Sequence, residues 1–389
     1  MSRSVTHRGL LRQVAILGCL FLLSIGSDAQ VLVKVSDSVF FRLGTLMQFW
    51  ADGTQDPVSG GYSQNLFLRR VRFIVSGQIA DRVTFFFQTE NSRLGNSTAT
   101  ASKNTATGFI VQDAFGEWRI AGDLLALDAG LFFAPQSRDL MTVSSTCLSF
   151  DVSSYSSLQT VATQSSGGRD VGFQLKGYLL GDHLEYRAGV FDGQRELQSP
   201  AGAGSRNPPR FAARLQYDAF DVEKGYAYPR TNRGTKRILA VGAWNDRQGA
   251  FRAWGLDATL DLPVAANKDA LTIGGEYFSY DGHKQFTQIA NGVVTDLLPR
   301  QDAFFTDAGY YFGSLAVQPF LRYETLRFAD SSNLSRDQTR YGAGLNWYVS
   351  ATNMKVSALE ERIVSRVLPA GASRRVTNRV AIQLQFLYY

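Results

Sequence analysis

The sequence predicts an all-β protein, a 16-stranded antiparallel transmembrane β-barrel, and three observations support this prediction. Apolar and polar residues alternate along nearly the whole chain of 389 residues, which is typical of strands with one apolar and one polar face. Successive candidate strands follow one another about every 22 residues, the pitch of an outer-membrane barrel. The chain also begins with a secretory pattern, and past residue 29 it has a single cysteine, Cys147, which excludes an intramolecular disulfide scaffold.

Composition argues against other classes of protein. Aromatic residues make up 12% of the chain and charged residues only 19%, which argues against disorder. Past residue 29 there is no run of 18 apolar residues free of charge, which argues against a bundle of transmembrane helices. Arginine is abundant: 32 of the 40 basic residues are arginines and eight are lysines. Arginine suits carboxylate and phosphate contacts, although a GC-rich genome would produce the same bias.

Residues 1–29 are predicted to be a cleaved signal peptide. A basic start is followed by an apolar stretch at 14–25, which is too short to span a membrane comfortably, and small residues precede a cleavage site after Ala29. Cleavage implies export from the cytoplasm. The predicted organisation is a signal peptide at 1–29 and one barrel domain at 30–389.

Alternation and turn residues together place the strands in order. Short turns rich in Gly, Asp and Asn alternate with longer polar connections, so both termini are expected at the short-turn, periplasmic end. The segment 220–236 is anomalously long for that end, and the sequence leaves its role open. The sixteen predicted strands are 39–50, 66–79, 83–90, 109–120, 124–133, 169–180, 183–192, 209–219, 237–245, 251–261, 270–280, 303–312, 315–327, 339–349, 354–364 and 378–388.

Aromatic residues at the edges of the apolar faces favour a barrel over a soluble sandwich. In a sandwich the apolar faces would turn inward, whereas in a membrane barrel they face lipid and the lumen is polar. Aromatic side chains gather at both membrane interfaces. The predicted interfacial residues are Phe49, Trp50, Trp118, Phe132, Phe133, Tyr217, Trp244, Tyr310, Trp347, Tyr348, Tyr388 and Tyr389.

Several short motifs occur in the order of the strands of one known family. They are LRRVRFIVSGQI at 68–79, VTFFFQTE at 83–90, QDAFGEWRI at 112–120, LDAGLFFAPQSRD at 127–139, GRDVGFQLKG at 168–177, YRAGVFDG at 186–193, YGAGLNWYVSATNMKVSALEE at 341–361 and VAIQLQFLYY at 380–389. Together they resemble the phosphate-selective porin O and porin P family over nearly all of the mature chain. One departure is Tyr389, an extra residue after the terminal aromatic pattern.

This resemblance implies an outer-membrane barrel of Gram-negative type, embedded in lipid, usually homotrimeric, whose third extracellular loop folds into the pore. The third loop here is 134–168, the longest connection, rich in Ser and Thr. An ordinary surface loop is the alternative. The candidate constriction residues are Arg138, Asp139, Asp151 and Arg169.

Charged residues on the predicted polar faces are balanced. Basic and acidic candidates are equally numerous, so counting alone does not support a strongly anion-selective wall. Adjacent arginines could still concentrate anions, or they could pair with carboxylates such as Glu90 and Glu117 and stiffen the wall. The inward basic residues are Arg42, Arg70, Arg72, Arg119, Lys176, Arg187, Arg210, Arg214, Arg322, Arg340 and Lys355. The anion candidates among them are Arg42, Arg70, Arg72, Arg119, Lys176, Arg187, Arg214 and Arg322.

The sequence therefore predicts passive diffusion of small anions, with phosphate favoured by the resemblance and the arginines. A general-diffusion or sugar-type porin stays open, since Phe115, Phe191, Phe278 and other aromatics fall on polar faces, where they could equally support the inward loop. A plugged, purely structural barrel is a further alternative. An enzyme is disfavoured, because past the signal peptide the only histidines, in a turn and a loop, have no catalytic partners. We expect no metal, no cofactor and no nucleic-acid partner.

Overall fold

A computed structural model describes residues 31–97, 102–195, 208–264, 268–290 and 293–389. The predicted signal peptide lies outside these residues, so its cleavage stays a prediction. The helical elements are short: 3₁₀ helices at Ser144–Thr146 and Ser331–Arg336, and α1 at Gln159–Ala162. No helix among the described residues has the length and apolar character needed to cross a membrane.

Strands make up most of the described chain. They are β1 (Val31–Lys34), β2 (Phe40–Gln55), β3 (Tyr62–Ala80), β4 (Val83–Leu94), β5 (Ile110–Arg119), β6 (Ala126–Phe133), β7 (Arg169–Leu179), β8 (Leu184–Phe191), β9 (Arg210–Asp218), β10 (Ile238–Gln248), β11 (Phe251–Pro263), β12 (Ala270–Asp281), β13 (Thr287–Ala290), β14 (Val293–Asp296), β15 (Gln301–Tyr311), β16 (Val317–Phe328), β17 (Gln338–Ser350), β18 (Met354–Ser365) and β19 (Val376–Tyr388).

Sixteen of these strands, β2–β12 and β15–β19, form one closed antiparallel sheet. Each pairs with its neighbours in sequence, and β19 pairs with β2, with Ile382 opposite Ala51, to close the ring. The predicted 16-stranded barrel is confirmed. The sequence did not predict β1, which pairs with the start of β2 beyond the end of β19, or the separate β13–β14 hairpin.

Side chains alternate between a buried inner face and an exposed outer face. In β9 the buried residues are Arg210, Ala212, Arg214, Gln216 and Asp218, whereas the exposed ones are Phe211, Ala213, Leu215 and Tyr217. The charged residues therefore face inward and the apolar ones outward, which is the pattern of a barrel in lipid. Neighbouring aromatic rings form an outer belt near the long-connection end: Trp254, Tyr277, Phe304, Tyr323 and Tyr341.

Five residues predicted to lie at the membrane interfaces are buried instead. They are Trp50, Phe132, Phe133, Trp244 and Tyr348. For Trp50, Trp244 and Tyr348 the reason is the period of a strand: adjacent residues point to opposite faces, so Phe49 is exposed and Trp50 is not. Phe132 and Phe133, at the end of β6, are buried in two different clusters, Phe132 with Phe115 and Phe133 with Tyr228. The buried Trp50 donates a hydrogen bond from Nε1 to Gln383 Oε1 over 2.7 Å.

The third long connection, 134–168, contacts the buried faces of strands from several parts of the ring. Ser137 Oγ donates to Glu276 on β12 over 2.9 Å, and Ser153 Oγ donates to Glu324 on β16 over 3.2 Å. Lys355 on β18 donates from Nζ to the carbonyl of Cys147 over 3.0 Å. This one segment therefore bonds to strands that are far apart in the sheet.

The segment 219–237, at the short-turn end, meets the third connection. Val143 N donates to the carbonyl of Tyr228 over 2.9 Å, and Tyr228 N donates to the carbonyl of Met141 over 3.0 Å. Tyr228 is buried and its hydroxyl bonds to Glu185 on β8. The unusual length of this turn thus gives it the reach to contact a segment from the opposite end of the barrel.

Candidate pore lining

A cavity of about 710 Å³ lies between the third connection and the inner faces of β2–β5, β17 and β19. We call it the arginine cavity. Serine and threonine hydroxyls contribute much of the remaining surface, among them Ser92, Ser144 and Ser154. Its charged lining consists of Arg69, Arg70, Arg72, Arg93, Arg169, Arg340 and Arg379 with Asp52, Glu90 and Asp151.

A β-bulge explains why two consecutive arginines face this cavity. In the β2–β3 pairing Gln48 is opposite Arg70 but Phe49 is opposite Leu68, so Arg69 is the extra residue. Arg69 donates from Nε and Nη2 to Asp151 Oδ2, over 3.0 and 2.5 Å, and Arg70 donates from Nη2 to Asp151 Oδ1 over 2.5 Å. Sequence reasoning missed Arg69, because strict alternation places it on the opposite face from Arg70.

Asp151 joins the third connection to β3. Burial alone would raise the pKa of this carboxyl, but Arg69 and Arg70 outweigh burial and hold the pKa well below its usual range. The carboxylate is therefore charged at any physiological pH. Asp151 and Arg169 are the two predicted constriction residues that line the arginine cavity.

Other arginines of the cavity are also paired with carboxylates. Arg72 donates from Nε to Glu90 over 2.6 Å and from Nη1 to Ser144 Oγ over 3.1 Å. Arg379 bonds to Asp52 over 2.8 Å. Arg169 lies on the ring of Phe133, 3.5 Å from its centroid, and reaches Asp113 over 3.2 Å, while Arg340 is 3.4 Å from Glu361. Six of the seven arginines that line the cavity are thus in ion pairs with described carboxylates.

The remaining predicted constriction residues, Arg138 and Asp139, are buried. Arg138 donates to Glu223 over 2.6 Å and to Gln216 over 2.8 Å, and Asp139 accepts from Arg230 over 2.5 Å. Glu223 and Arg230 both belong to the 219–237 segment. These pairs join the third connection to the 219–237 segment, and neither Arg138 nor Asp139 lines the arginine cavity.

Four predicted anion candidates lie outside the arginine cavity, in buried ion pairs. Arg214 donates to both oxygens of Asp257, over 2.6 and 2.8 Å, and Lys176 lies between Glu117 and Asp128, at 2.6 and 3.1 Å. The other two, Arg187 and Arg322, pair with Glu185 and Glu324. We call the buried charged face of β7–β12 other than Arg169, with the segments that pack on it, the packed wall. There Arg210 and Asp246 bond over 2.8 Å with both side chains fully buried.

Two predicted candidates, Arg42 and Arg119, lie at the short-turn end. Arg42 is exposed and sits over the ring of Phe40, 5.3 Å from its centroid. Arg119 is about half exposed and bonds to Glu117 over 2.8 Å. Neither lines the arginine cavity, so the eight anion candidates do not form one continuous row.

Inward aromatic residues pack against the third connection. Phe278, Tyr280 and Phe305 are buried in one cluster with Tyr155, and Tyr280 donates its hydroxyl proton to the carbonyl of Tyr155 over 3.1 Å. Phe115 and Phe191 belong to a second buried cluster. None of these five rings lines the arginine cavity. Their contacts favour a supporting role over an aromatic slide for sugars.

The histidines lie apart from both regions. His183 Nδ1 is 2.5 Å from the carbonyl of Asp218 at a turn, and the exposed His283 is 3.4 Å from Asp281. Across the described ranges, no three His, Cys, Asp or Glu side chains are grouped so that they could hold a metal ion.

Known structures with a similar fold are outer-membrane proteins. Salmonella typhi OmpF in complex with daunomycin has a TM-score of 0.61 at 12% identity, with 92% of this chain and 100% of that chain covered. Pseudomonas putida OprB has a TM-score of 0.57 at 11% identity, with 90% and 94% covered. The channel DcaP of Acinetobacter baumannii has a TM-score of 0.55 at 11% identity, with 92% and 99% covered. At such low identity these likenesses show the fold alone.

Sequence comparison identifies the family. No curated protein sequence matches the chain. The profile of the phosphate-selective porin O and P family matches residues 44–243, slightly more than half of the chain, from within β2 to within β10. With its closed 16-stranded barrel, the chain belongs to the phosphate-selective porin O and P family and is an outer-membrane channel protein.

Proposed function

We propose that the protein is a trimeric porin through which small oxyanions, above all inorganic phosphate, diffuse passively across the outer membrane. The observation that carries this proposal is the charge of the arginine cavity. Seven arginines and three carboxylates line it, an excess of four positive charges. Counting also Asp113 and Glu361, which pair with Arg169 and Arg340 from outside the lining, leaves an excess of two.

An excess of positive charge in a narrow, water-accessible space concentrates anions. Low-dielectric walls focus the field and raise the local concentration of counter-ions by about 10- to 1,000-fold. Small anions of any kind benefit from this effect. The charge therefore supports anion preference without selecting phosphate.

Hydrogen-bond donors in the cavity support phosphate in particular. Arg70 and Arg340 both line the cavity with their guanidinium groups, whose Nε atoms are buried and have no hydrogen-bond partner among the described residues. Arg72 lies beside the hydroxyl of Ser144. Planar guanidinium groups and hydroxyls are the donors that suit a tetrahedral oxyanion. The arginine and serine side chains of the lining are therefore the groups with which phosphate would interact.

The third connection is proposed to act as the constriction. Asp151 fastens it to β3, and Arg138 and Asp139 fasten it to the 219–237 segment. These buried contacts would hold the pore at one width. A general-diffusion porin is the second candidate, since carboxylates pair with six of the seven cavity arginines.

The proposed function also requires export to the outer membrane and assembly into a trimer. We expect the signal peptide at 1–29 to be removed and the outer face to lie in lipid. One similar barrel, OmpT of Vibrio cholerae, is described as a trimer, with a TM-score of 0.50 at 11% identity. That likeness shows the fold, and the trimer is proposed here from the family.

The test is the reversal potential of the purified protein in a planar bilayer under a KCl gradient, followed by addition of phosphate. We expect a potential on the chloride side and a reduction of chloride current at low phosphate concentration. A potential near zero or on the potassium side, without block, would contradict anion selectivity and favour the general-diffusion alternative. Chloride selectivity without block would leave an anion pore and remove phosphate as its preferred solute.

A further inference from the structure

A groove of about 410 Å³ crosses the outer face of β6–β10. Its floor consists of small residues, Ala188, Gly189 and Ala213, and its edges include Phe173 and Phe211. Phe173 is 64% exposed and Phe211 is 41% exposed, although both are strongly apolar. The outer face of a membrane barrel contacts lipid, so an acyl chain is the natural occupant of such a groove.

A cationic side chain lies at one end of this groove. Arg247 lines it beside Asn245, and its guanidinium lies over the ring of Phe211, 5.4 Å from the ring centroid. Arg247 lies directly opposite Arg252 in the β10–β11 pairing. Like charges directly opposite each other destabilise a sheet unless an anion lies between them.

The hydrogen-bond acceptors near these two arginines do not neutralise their charge. Arg252 donates to the carbonyls of Gly249 and Phe251, over 2.6 and 2.7 Å. Asp281 is opposite Arg252 on β12 but forms no ion pair with it; its carboxylate accepts from His283 N over 2.8 Å and lies 3.4 Å from the His283 ring. The two arginines therefore lack a carboxylate partner in the described part of the chain.

Along the membrane normal, Arg247 and Arg252 lie at the expected level of the lipid headgroups. Trp254, two residues from Arg252 on the same face, belongs to the outer aromatic belt near the long-connection end. Aromatic belts mark the membrane interface, so the residues beyond Trp254 lie among headgroups of the outer leaflet. Arg247 and Arg252 are thus placed where a phosphate group would be, at the end of a groove suited to a hydrocarbon chain.

We infer that this face binds a phosphorylated lipid of the outer leaflet, with one acyl chain over Ala188 and Ala213 and a phosphate on Arg247 and Arg252. The inference depends on the location of the barrel in the outer membrane and not on the proposed solute. A guanidinium pair binds a phosphate through charge-assisted hydrogen bonds, which are stronger than those between neutral groups.

A second outer groove provides the matched control. It measures about 460 Å³ and is lined by Ala308, Ala343 and Tyr341 with Arg362. There a carboxylate, Glu360, lies on the same face two residues from the arginine. We expect this groove to accept acyl chains without preference for phosphorylated lipid.

The experiment is native mass spectrometry of the full-length protein in detergent, with lipid A bearing both phosphates and with the same lipid after enzymatic removal of its phosphates. The wild type should bind the phosphorylated form about tenfold more tightly, the effect of one charge-assisted contact. The double variant R247Q/R252Q should lose this preference, and Arg362→Gln should keep it. Ala213→Phe should weaken binding of both lipids by filling the groove.

Three outcomes would overturn the inference. The first is an unchanged preference in R247Q/R252Q. The second is displacement of the lipid by inorganic phosphate together with no effect of Ala213→Phe, which would mean that the arginines bind the free ion. The third is conversion of trimers to monomers by R247Q/R252Q with no change in lipid binding, which would mean that a second copy of the chain covers this face.

Discussion

The arginine cavity and the packed wall contain the same types of charged residue in different surroundings. Both are lined by arginines paired with carboxylates. In the packed wall the side chains of Arg210 and Asp246 are fully buried, whereas Arg69 and Asp151 keep 17% and 22% of their side-chain surface exposed. The difference lies in what contacts them: the third connection, the 219–237 segment and aromatic rings pack on the packed wall, and the arginine cavity keeps a volume of about 710 Å³.

Burial from water changes the energetics of each ion pair. A charge taken out of water costs several kcal/mol, which only a well-placed partner offsets, so the pairs of the packed wall fix the positions of the third connection and the 219–237 segment, which bond to them. A charge that remains in contact with water is screened but can exchange its partner for a passing ion. The inward position of an arginine is therefore insufficient to make it part of an ion path.

The largest expected difference between the two regions is in the loss of unfolding free energy when a carboxylate is removed. Asp246→Ala removes one of the two carboxylates bonded to the buried Arg210, which keeps Asp170 at 3.0 Å, and it removes the acceptor of Gln136, so we expect a loss of about 1.5–3 kcal/mol. Asp52→Ala removes the partner of Arg379 in the open cavity and should cost only about 1 kcal/mol or less. Urea unfolding followed by tryptophan fluorescence measures both. Equal costs would contradict the distinction between the two regions.

Asp151 belongs to the third connection and pairs with two arginines of the cavity, so its substitution tests how the two are joined. Because it anchors the third connection through two arginines, we expect Asp151→Asn to cost about 1.5–3 kcal/mol at pH 7. A carboxyl whose pKa is lowered in the folded state stabilises above its unfolded pKa, about 3.9, and loses this effect as the pH falls through the lowered value. Urea midpoints of both proteins should therefore differ equally at pH 8 and pH 5. A difference that already shrinks at pH 5 would disagree with this assignment.

The anion-to-cation permeability ratio tests whether ions pass through the arginine cavity. Arg72→Gln removes a positive charge from the cavity and should lower the anion-to-cation permeability ratio by up to about tenfold, whereas Glu90→Gln should raise it. The double variant R72Q/E90Q restores the net charge and should return close to the wild type. Reversal potentials under a KCl gradient measure all three. Unchanged values in both single variants would place the ion path elsewhere.

Cys147 should give the smallest effect. It lies in the third connection, is 4% exposed, and burial raises the pKa of its thiol to about 11. The reactive thiolate would form only as the pH rises toward that value, so maleimide should not label the folded protein at pH 7.5. Labelling should become complete in urea. Rapid labelling of the folded protein would show that this underside of the third connection is open to water.

The strands were predictable because their signals are local. Period-two alternation and Gly or Asp turns place β11, predicted at 251–261 and found at 251–263, within two residues. The inward parity of Arg72 and Arg214 follows from the same period. Such features depend only on neighbours in the chain.

The candidate site was less predictable because its features depend on distant contacts. The bulge that turns Arg69 inward is a property of the pairing between β2 and β3. Asp246 lies just past the predicted end of its strand, so its pair with Arg210 could not be foreseen. The position of the 219–237 segment depends on contacts with the third connection, which no spacing in the sequence reveals.

The most direct test of the account is thiol modification in a Cys147→Ser background. Ser154→Cys places a thiol in the arginine cavity, and Thr272→Cys places one in the packed wall, where Thr272 is fully buried and bonds to Asp261. We predict that a sulfonate-bearing thiosulfonate reagent lowers anion selectivity and a quaternary-ammonium reagent raises it in Ser154→Cys, while Thr272→Cys does not react. Rapid reaction of Thr272→Cys, or selectivity that ignores the charge placed at residue 154, would contradict the division of the lumen into an open arginine cavity and a packed wall.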